Sequence, residues 1–218
     1  MLKAIESDVR YTRDMLGIER LSEAVRQALL EVPRERFVPD GLQYAAFDNR
    51  PLPIGDGQTI SQPYIVAIMT ELLELSPEDR VLEVGTGSGY QAAVLSRVAG
   101  EVYSVEVIEN LARQAMQRFE ELGYDNIHVR IGDGHIGWPE EAPFDAIMVT
   151  AAAPYIPQAL IAQLKPGGRL IAPVGDHFQQ NLVLLTREED GSTRSRTLLP
   201  VAFVPLTGRD HEEETSDG

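Results

Sequence analysis

The chain contains no cysteine, which excludes disulfides, thiolate metal sites and a cysteine nucleophile. Histidine is scarce as well. His128, His135, His177 and His211 are scattered, without the H-x-x-x-H spacing of a metal site, so no metal is expected. No apolar run approaches the roughly 20 residues that a membrane span needs. The opening MLKAIESDVRYTRDML mixes both charge signs and lacks the apolar core of a secretory signal. These absences predict a cytoplasmic protein with no membrane partner. Positive charge is also short. Lys and Arg number 19 against 34 Asp and Glu, and the net charge of −15 opposes binding to a phosphate backbone. Nucleic acid is therefore not an expected partner, and the chain is expected to act as a monomer.

What is present suits one folded domain. The 218 residues are 43% hydrophobic and 24% charged, enough for a substantial core. Apolar residues recur at helical spacing in 2–16 and 20–30, for instance Leu21, Val25, Ala28 and Leu29. VPRERFVPD then interrupts with two prolines, and residues 40–62 read as an irregular connection whose length suggests a functional segment. From Pro63 a helix is predicted to about Leu75. Strands follow at 81–84, 101–105, 127–131 and 144–149, alternating with helices at 90–98 and 108–122, and QALIAQL reads as one more helix.

This rhythm predicts an α/β fold: a doubly wound, Rossmann-like sheet, mostly parallel, with an N-terminal helical extension. RLIAPVG, NLVLLTRE and STRSRTLLPVAFVP are strand-like and are expected as antiparallel C-terminal strands. The expected divisions are a helical extension and loop over 1–62, a ligand-binding domain over 63–208, and an acidic, solvated tail over 209–218. That tail, RDHEEETSDG, has five acids in ten residues.

VLEVGTGSGY (81–90) is a strand running into a glycine-rich turn and then a helix, the context of a cofactor-binding turn. Its G-x-G-x-G spacing departs from the dinucleotide G-x-G-x-x-G. Glu106 ends the next strand, where an acid can accept from a ribose diol, and Asp133 follows the third. Glu83, Glu106 and Asp133 thus stand at the carboxyl ends of adjacent strands. Three acids suit an adenosine carrying positive charge, which points to S-adenosyl-L-methionine. A lone strand-end Asp before Gly also serves as an ordinary turn residue.

Beyond that turn, VPRERFVP, PLPIGDGQTISQPYIVAIM, GDGHIGWPEEAPFDAIMVTAAAP, IPQALIAQLKPGGRLIAPVG and FVPLTG resemble the protein-L-isoaspartate O-methyltransferase family over nearly all of 20–207. The resemblance implies methylation, by S-adenosyl-L-methionine, of L-isoaspartyl residues in damaged proteins and peptides. It implies a cofactor pocket of Thr59, Ile60, Glu83, Gly85, Thr86, Gly87, Glu106, Val107, Asp133 and Gly134. It puts the catalytic serine on Ser61 and substrate contacts on Ser61, Gln62 and Thr207. Some relatives carry Ala-Pro-His where this chain has Gln62-Pro63-Tyr64, which leaves the part of Tyr64 open.

The chemistry suits these residues. A carboxylate acceptor is already ionised at neutral pH, so no general base is required. Alignment and exclusion of water then carry the reaction. The Ser61 hydroxyl could orient that acceptor, or could cap the helix that begins at Pro63. The alternative function is a methyltransferase of the same class with a small-molecule acceptor. A nicotinamide dehydrogenase, a serine hydrolase and a non-enzymatic module compete less well. Around Ser88 the positions where a nucleophile elbow needs glycine hold Thr86 and Tyr90.

Overall fold

The N-terminal periodicity becomes two helices in the computed structural model, which describes residues 1–176 and 178–208. The acidic stretch 209–218 read as a tail lies outside the described residues. In α1 (Leu2–Leu16) the apolar stripe buries Ile5, Val9 and Leu16, and Gly17 ends the helix in the left-handed region. In α2 (Glu23–Glu31) the Ser22 hydroxyl accepts from the Val25 N–H at the first turn.

The connection read as irregular has structure of its own. Two 3-10 turns, Arg34–Phe37 and Asp40–Ala45, lead into a hairpin of β1 (Leu52–Gly55) and β2 (Gln58–Ile60). Asp56 and Gly57 form its two-residue loop with φ of 51° and 72°. Positive φ at both loop positions matches the twist of paired strands, and Asp-Gly tolerates it. That dipeptide between PLPIG and QTI was the overlooked hairpin signal. The Asn110 side chain fixes the tip by donating to Asp56 at 2.8 Å.

After the hairpin comes α3 (Pro63–Leu72), nearly all of it buried. The alternation then runs β3 (Arg80–Val84), α4 (Tyr90–Leu95), β4 (Glu101–Glu106), α5 (Glu109–Leu122), β5 (Ile127–Ile131), β6 (Phe144–Val149) and α6 (Gln158–Ala162). β7 (Leu164–Gly175), β8 (Gln180–Arg187) and β9 (Thr193–Val201) complete a seven-stranded sheet of order β5-β4-β3-β6-β7-β8-β9. Pairings from β5 through to β7 are parallel, and β8 runs antiparallel to both its neighbours. The helices at 63 and 90 end about three residues sooner than their periodicity predicts, and β7 begins ahead of RLIAPVG, taking in KPGG.

Side-chain alternation along the strands builds a core on each face of the sheet. Val81, Ala146 and Met148 join α1, α2, α3 and α4 on one face, while Leu82, Val84, Ile147 and Val149 join Leu160 of α6 on the other. Strand order reverses at β3, because β4 and β6 leave it on opposite sides. A crevice opens beyond the carboxyl ends of strands at such a switch point.

Candidate active site

The crevice at the end of β3 is a cleft walled by three segments. Its floor is the glycine-rich turn, one side is Glu106 to Ile108 at the end of β4, and the other is 58–61 from the hairpin side with the C-terminal segment. The turn is tightly specified. Gly85 has φ of 99°, and a Cβ there would run into the Thr150 hydroxyl. Thr150 in turn donates to the carbonyls of Val84 at 3.0 Å and Gly85 at 2.7 Å, pinning the turn to the end of β6.

Glu106 closes the turn from the other side. Its Oε2 accepts from the Gly87 N–H at 2.8 Å and its Oε1 from the Ile108 N–H at 3.0 Å. Each oxygen keeps a further lone pair for a ligand hydroxyl. Among the described residues lining the cleft, Glu106 is the only charged one, and none is Lys, Arg or His. That donor set fits a cationic adenosine derivative and opposes a pyrophosphate.

The other two acids are placed differently. Glu83 is fully buried beneath the turn, outside the cleft wall. One carboxyl oxygen meets the Ser104 hydroxyl at 2.5 Å, and Ser104 meets Thr86 at 2.6 Å. Burial, together with the nearby charge of Glu106, pushes the Glu83 carboxyl up to about 8. A group protonated at neutral pH is no counter-charge, so Glu83 acts through Ser104 and Thr86 on the shape of the turn. Asp133 turns to His135, accepting from its backbone N–H at 2.9 Å, and lies against Gly208. Its neighbour Gly134 reaches the cleft, where a Cβ would strike Val84.

A second cavity adjoins the first, and the two share Thr59, Ser61, Thr150 and Val204. Its walls include Asp8, Tyr11 and Thr12 of α1, Gln62, Tyr64 and Ile65, and 199–204. Ser61 therefore stands at the junction. No side-chain bond caps α3, whose cap residue is Gln62, so the Ser61 hydroxyl is not spent on the helix end. Tyr64 binds the wall together, its hydroxyl 2.6 Å from Thr12 and its N–H donating to Asn49. The C-terminal segment crosses both cavities. Its place is set by Val204 accepting from the Ala152 N–H at 2.8 Å and by the Leu206 N–H donating back to Ala152 at 2.7 Å.

The structure brings Thr59, Ile60, Ser61, Gly85, Thr86, Gly87, Glu106, Val107, Gly134 and Thr207 to one cleft, with Gln62 in the adjoining cavity. Glu83 and Asp133 stand behind it. Sequence reasoning passed over Thr150, Ser104 and the α1 wall. Thr150 follows a buried strand in MVTAAAP, and a polar residue at a strand's carboxyl end was the available signal. Nothing in the sequence marks Tyr11 or Thr12 as lining residues, because that role depends on how α1 docks.

Comparison with known proteins agrees with this geometry. The family model described as protein-L-isoaspartate(D-aspartate) O-methyltransferase matches residues 14–211. A protein-L-isoaspartate O-methyltransferase 2 of Syntrophobacter fumaroxidans is 57% identical over 95% of this chain and 85% of its own. Its namesake in Polaromonas sp. is 56% identical over 96% of this chain and 100% of its own. A solved protein-L-isoaspartate O-methyltransferase superposes with a TM-score of 0.81 at 32% identity, covering 95% of this chain and 66% of that longer one. A Plasmodium falciparum β-aspartate methyltransferase, solved with S-adenosyl-L-homocysteine, gives 0.77 at 25% identity over 94% of this chain and 97% of that one.

Proposed function

This chain belongs to the protein-L-isoaspartate(D-aspartate) O-methyltransferase family, and from that premise we infer how its residues divide the work. The enzyme transfers a methyl group from S-adenosyl-L-methionine to the free carboxyl of L-isoaspartyl residues in proteins and peptides. One observation carries the residue assignment: Ser61 lines both the cleft over the glycine turn and the cavity walled by α1. A residue at that junction can face a methyl donor on one side and an acceptor on the other.

In this reading the first cleft holds the cofactor. Gly85, Thr86 and Gly87 supply a floor without obstructing side chains, Glu106 accepts from the ribose diol, and Val107 with Gly134 flanks the adenine. Asp133 supports Gly134 from behind, and Glu83 supports Thr86 through Ser104. Thr59 and Ile60 close the cleft from the hairpin side. When bound, the cofactor supplies a sulfonium methyl group as the electrophile.

The second cavity takes the isoaspartyl segment. Its carboxyl has a reference pKa near 4, so it arrives ionised and no side chain has to remove a proton. Ser61 donates its hydroxyl to one carboxylate oxygen and holds the other in line, while Gln62 and Thr207 contact the flanking main chain. Closure by the 204–207 segment excludes water, which strengthens these hydrogen bonds. The cavity is open along α1, which suits a chain segment better than a compact small molecule.

We place the enzyme, as a monomer, in the cytoplasm, which its cysteine-free composition suits. No helix among the described residues is long and apolar enough to cross a membrane. The acidic surface supports isoaspartyl proteins as partners over nucleic acids and anionic membranes.

Labelled methyl transfer to matched isoaspartyl and aspartyl peptides tests the assignment. Ser61→Ala should lower kcat/KM for the isoaspartyl peptide by about 10–100-fold with little change in S-adenosyl-L-homocysteine affinity. Glu106→Ala should weaken that affinity first, by calorimetry. The reverse pattern would exchange the two roles.

A further inference from the structure

The reaction just described makes no use of Arg34, yet its guanidinium is fully buried directly behind Ser61. Nε donates to the Ala46 carbonyl at 2.8 Å and Nη2 to the Ser61 carbonyl at 2.8 Å. The guanidinium carbon lies 4.6 Å from the centre of the Tyr90 ring, and Nη1 has no hydrogen-bond partner. Among the described residues no carboxylate forms an ion pair with it. Burial lowers its proton affinity from the ordinary arginine value, and the Tyr90 side chain opposes that shift.

An unpaired buried cation is costly, and an apolar side chain of similar length would fill the same space without that cost. What an apolar side chain cannot do is address two carbonyls fifteen residues apart while stacking on a ring. The planar guanidinium fork does this and an ammonium group does not. The three groups it joins are informative. Ala46 ends the 3-10 segment, Ser61 follows β2 of the hairpin, and Tyr90 begins α4 immediately after the glycine turn. Arg34 thus ties the acceptor side of the site to the cofactor side. Among the described residues no basic side chain lines either cavity, and Arg34 is the cation hydrogen-bonded to Ser61.

We propose that Arg34 is a positioning residue for the methyl acceptor. It fixes the Ser61 backbone through its carbonyl, which sets the direction of the hydroxyl. It also leaves an unpaired positive charge behind the seat of the incoming carboxylate. The proposal rests on Ser61 being the acceptor-side residue.

The test compares Arg34→Met, Arg34→Lys and Ser61→Ala with the parent enzyme, with thermal unfolding recorded for each. The readouts are kcat and KM for an isoaspartyl peptide and, separately, calorimetric affinity for S-adenosyl-L-homocysteine. Arg34→Met should raise the peptide KM about tenfold or more, while cofactor-product affinity stays within about threefold. Arg34→Lys keeps the charge and loses the fork, so it should recover part of the lost peptide affinity. Parent-like peptide kinetics in Arg34→Met would overturn the proposal, and so would a parallel loss of cofactor-product affinity. If Arg34→Met does not fold, Arg34→Lys decides: an increase of a few-fold in peptide KM alone supports the proposal, and parent-like kinetics refute it. An impaired Ser61→Ala beside a parent-like Arg34→Met defeats this inference alone. A parent-like Ser61→Ala defeats the reading on which it rests.

Discussion

Glu83 and Glu106 show how position divides two acids that look alike in sequence. Both occupy strands that end at the cleft, yet Glu106 has both oxygens engaged by backbone N–H groups while Glu83 is sealed beneath the turn. The Glu83 carboxyl is raised to about 8 by burial, so between its unfolded value and 8 the native state holds a proton that the unfolded chain has released. Stability therefore falls as pH rises through that window, by about 1.4 kcal/mol per pH unit at most from this group. Glu83→Gln, which cannot ionise, should flatten the dependence of Tm on pH between 5 and 8 and raise stability at pH 8. A variant whose Tm declines over that window as steeply as the parent's would remove Glu83 as the cause. Catalysis itself should show no rate-limiting base in this range, since the acceptor is already ionised.

The hairpin β1–β2 is the element that turns a long connection into a wall. Its Asp56-Gly57 loop needs positive φ twice, and Asp tolerates that region while Ala does not. A Cβ at Gly57 would meet nothing within 4 Å, so the backbone alone decides the outcome of a substitution. Gly57→Ala should cost about 1 kcal/mol and raise the peptide KM more than it weakens cofactor binding. Gly57→Asn, which adopts the left-handed region more readily, should recover most of both. Equal behaviour of the two variants in unfolding and in peptide kinetics would mean that the loop geometry is unimportant. Helix α1 plays a comparable part by a different route, reaching the second cavity through Thr12 and its bond to Tyr64.

Across the whole molecule the charge of −15 sets the approach of substrates. An acidic surface attracts isoaspartyl peptides with basic flanks and slows those with acidic flanks, and salt screens both effects over about 10 Å at 0.1 M. Between 20 and 300 mM salt, the kcat/KM of a lysine-flanked isoaspartyl peptide should fall several-fold while that of a neutral one stays nearly constant. A salt response independent of flanking charge would place the selectivity within the cavity instead of on the surface. The architecture gives the same division in space. In the proposed assignment the sheet fixes the cofactor cleft at its switch point, and the N-terminal elements add the acceptor side on top.

Local chemistry made much of this legible in the sequence. A buried strand followed by Gly85-Thr86-Gly87 determines a tight, unobstructed turn, alternating strands and helices determine a parallel sheet, and parallel order carries Glu106 to the same edge as the turn. The hairpin too was written in Asp56-Gly57, although a connection rich in turn residues concealed it. Docking between distant segments was not written there. That Glu83 lies beneath the turn, that Thr12 meets Tyr64, and that Arg34 reaches past Ala46 to the Ser61 carbonyl depend on packing of residues far apart in the chain. Burial sets the charge state of Glu83 and joins Arg34 to Ser61, and burial is a property of the assembled fold. The kind of site is fixed by local residue chemistry, and the roles of its supporting residues by tertiary contact.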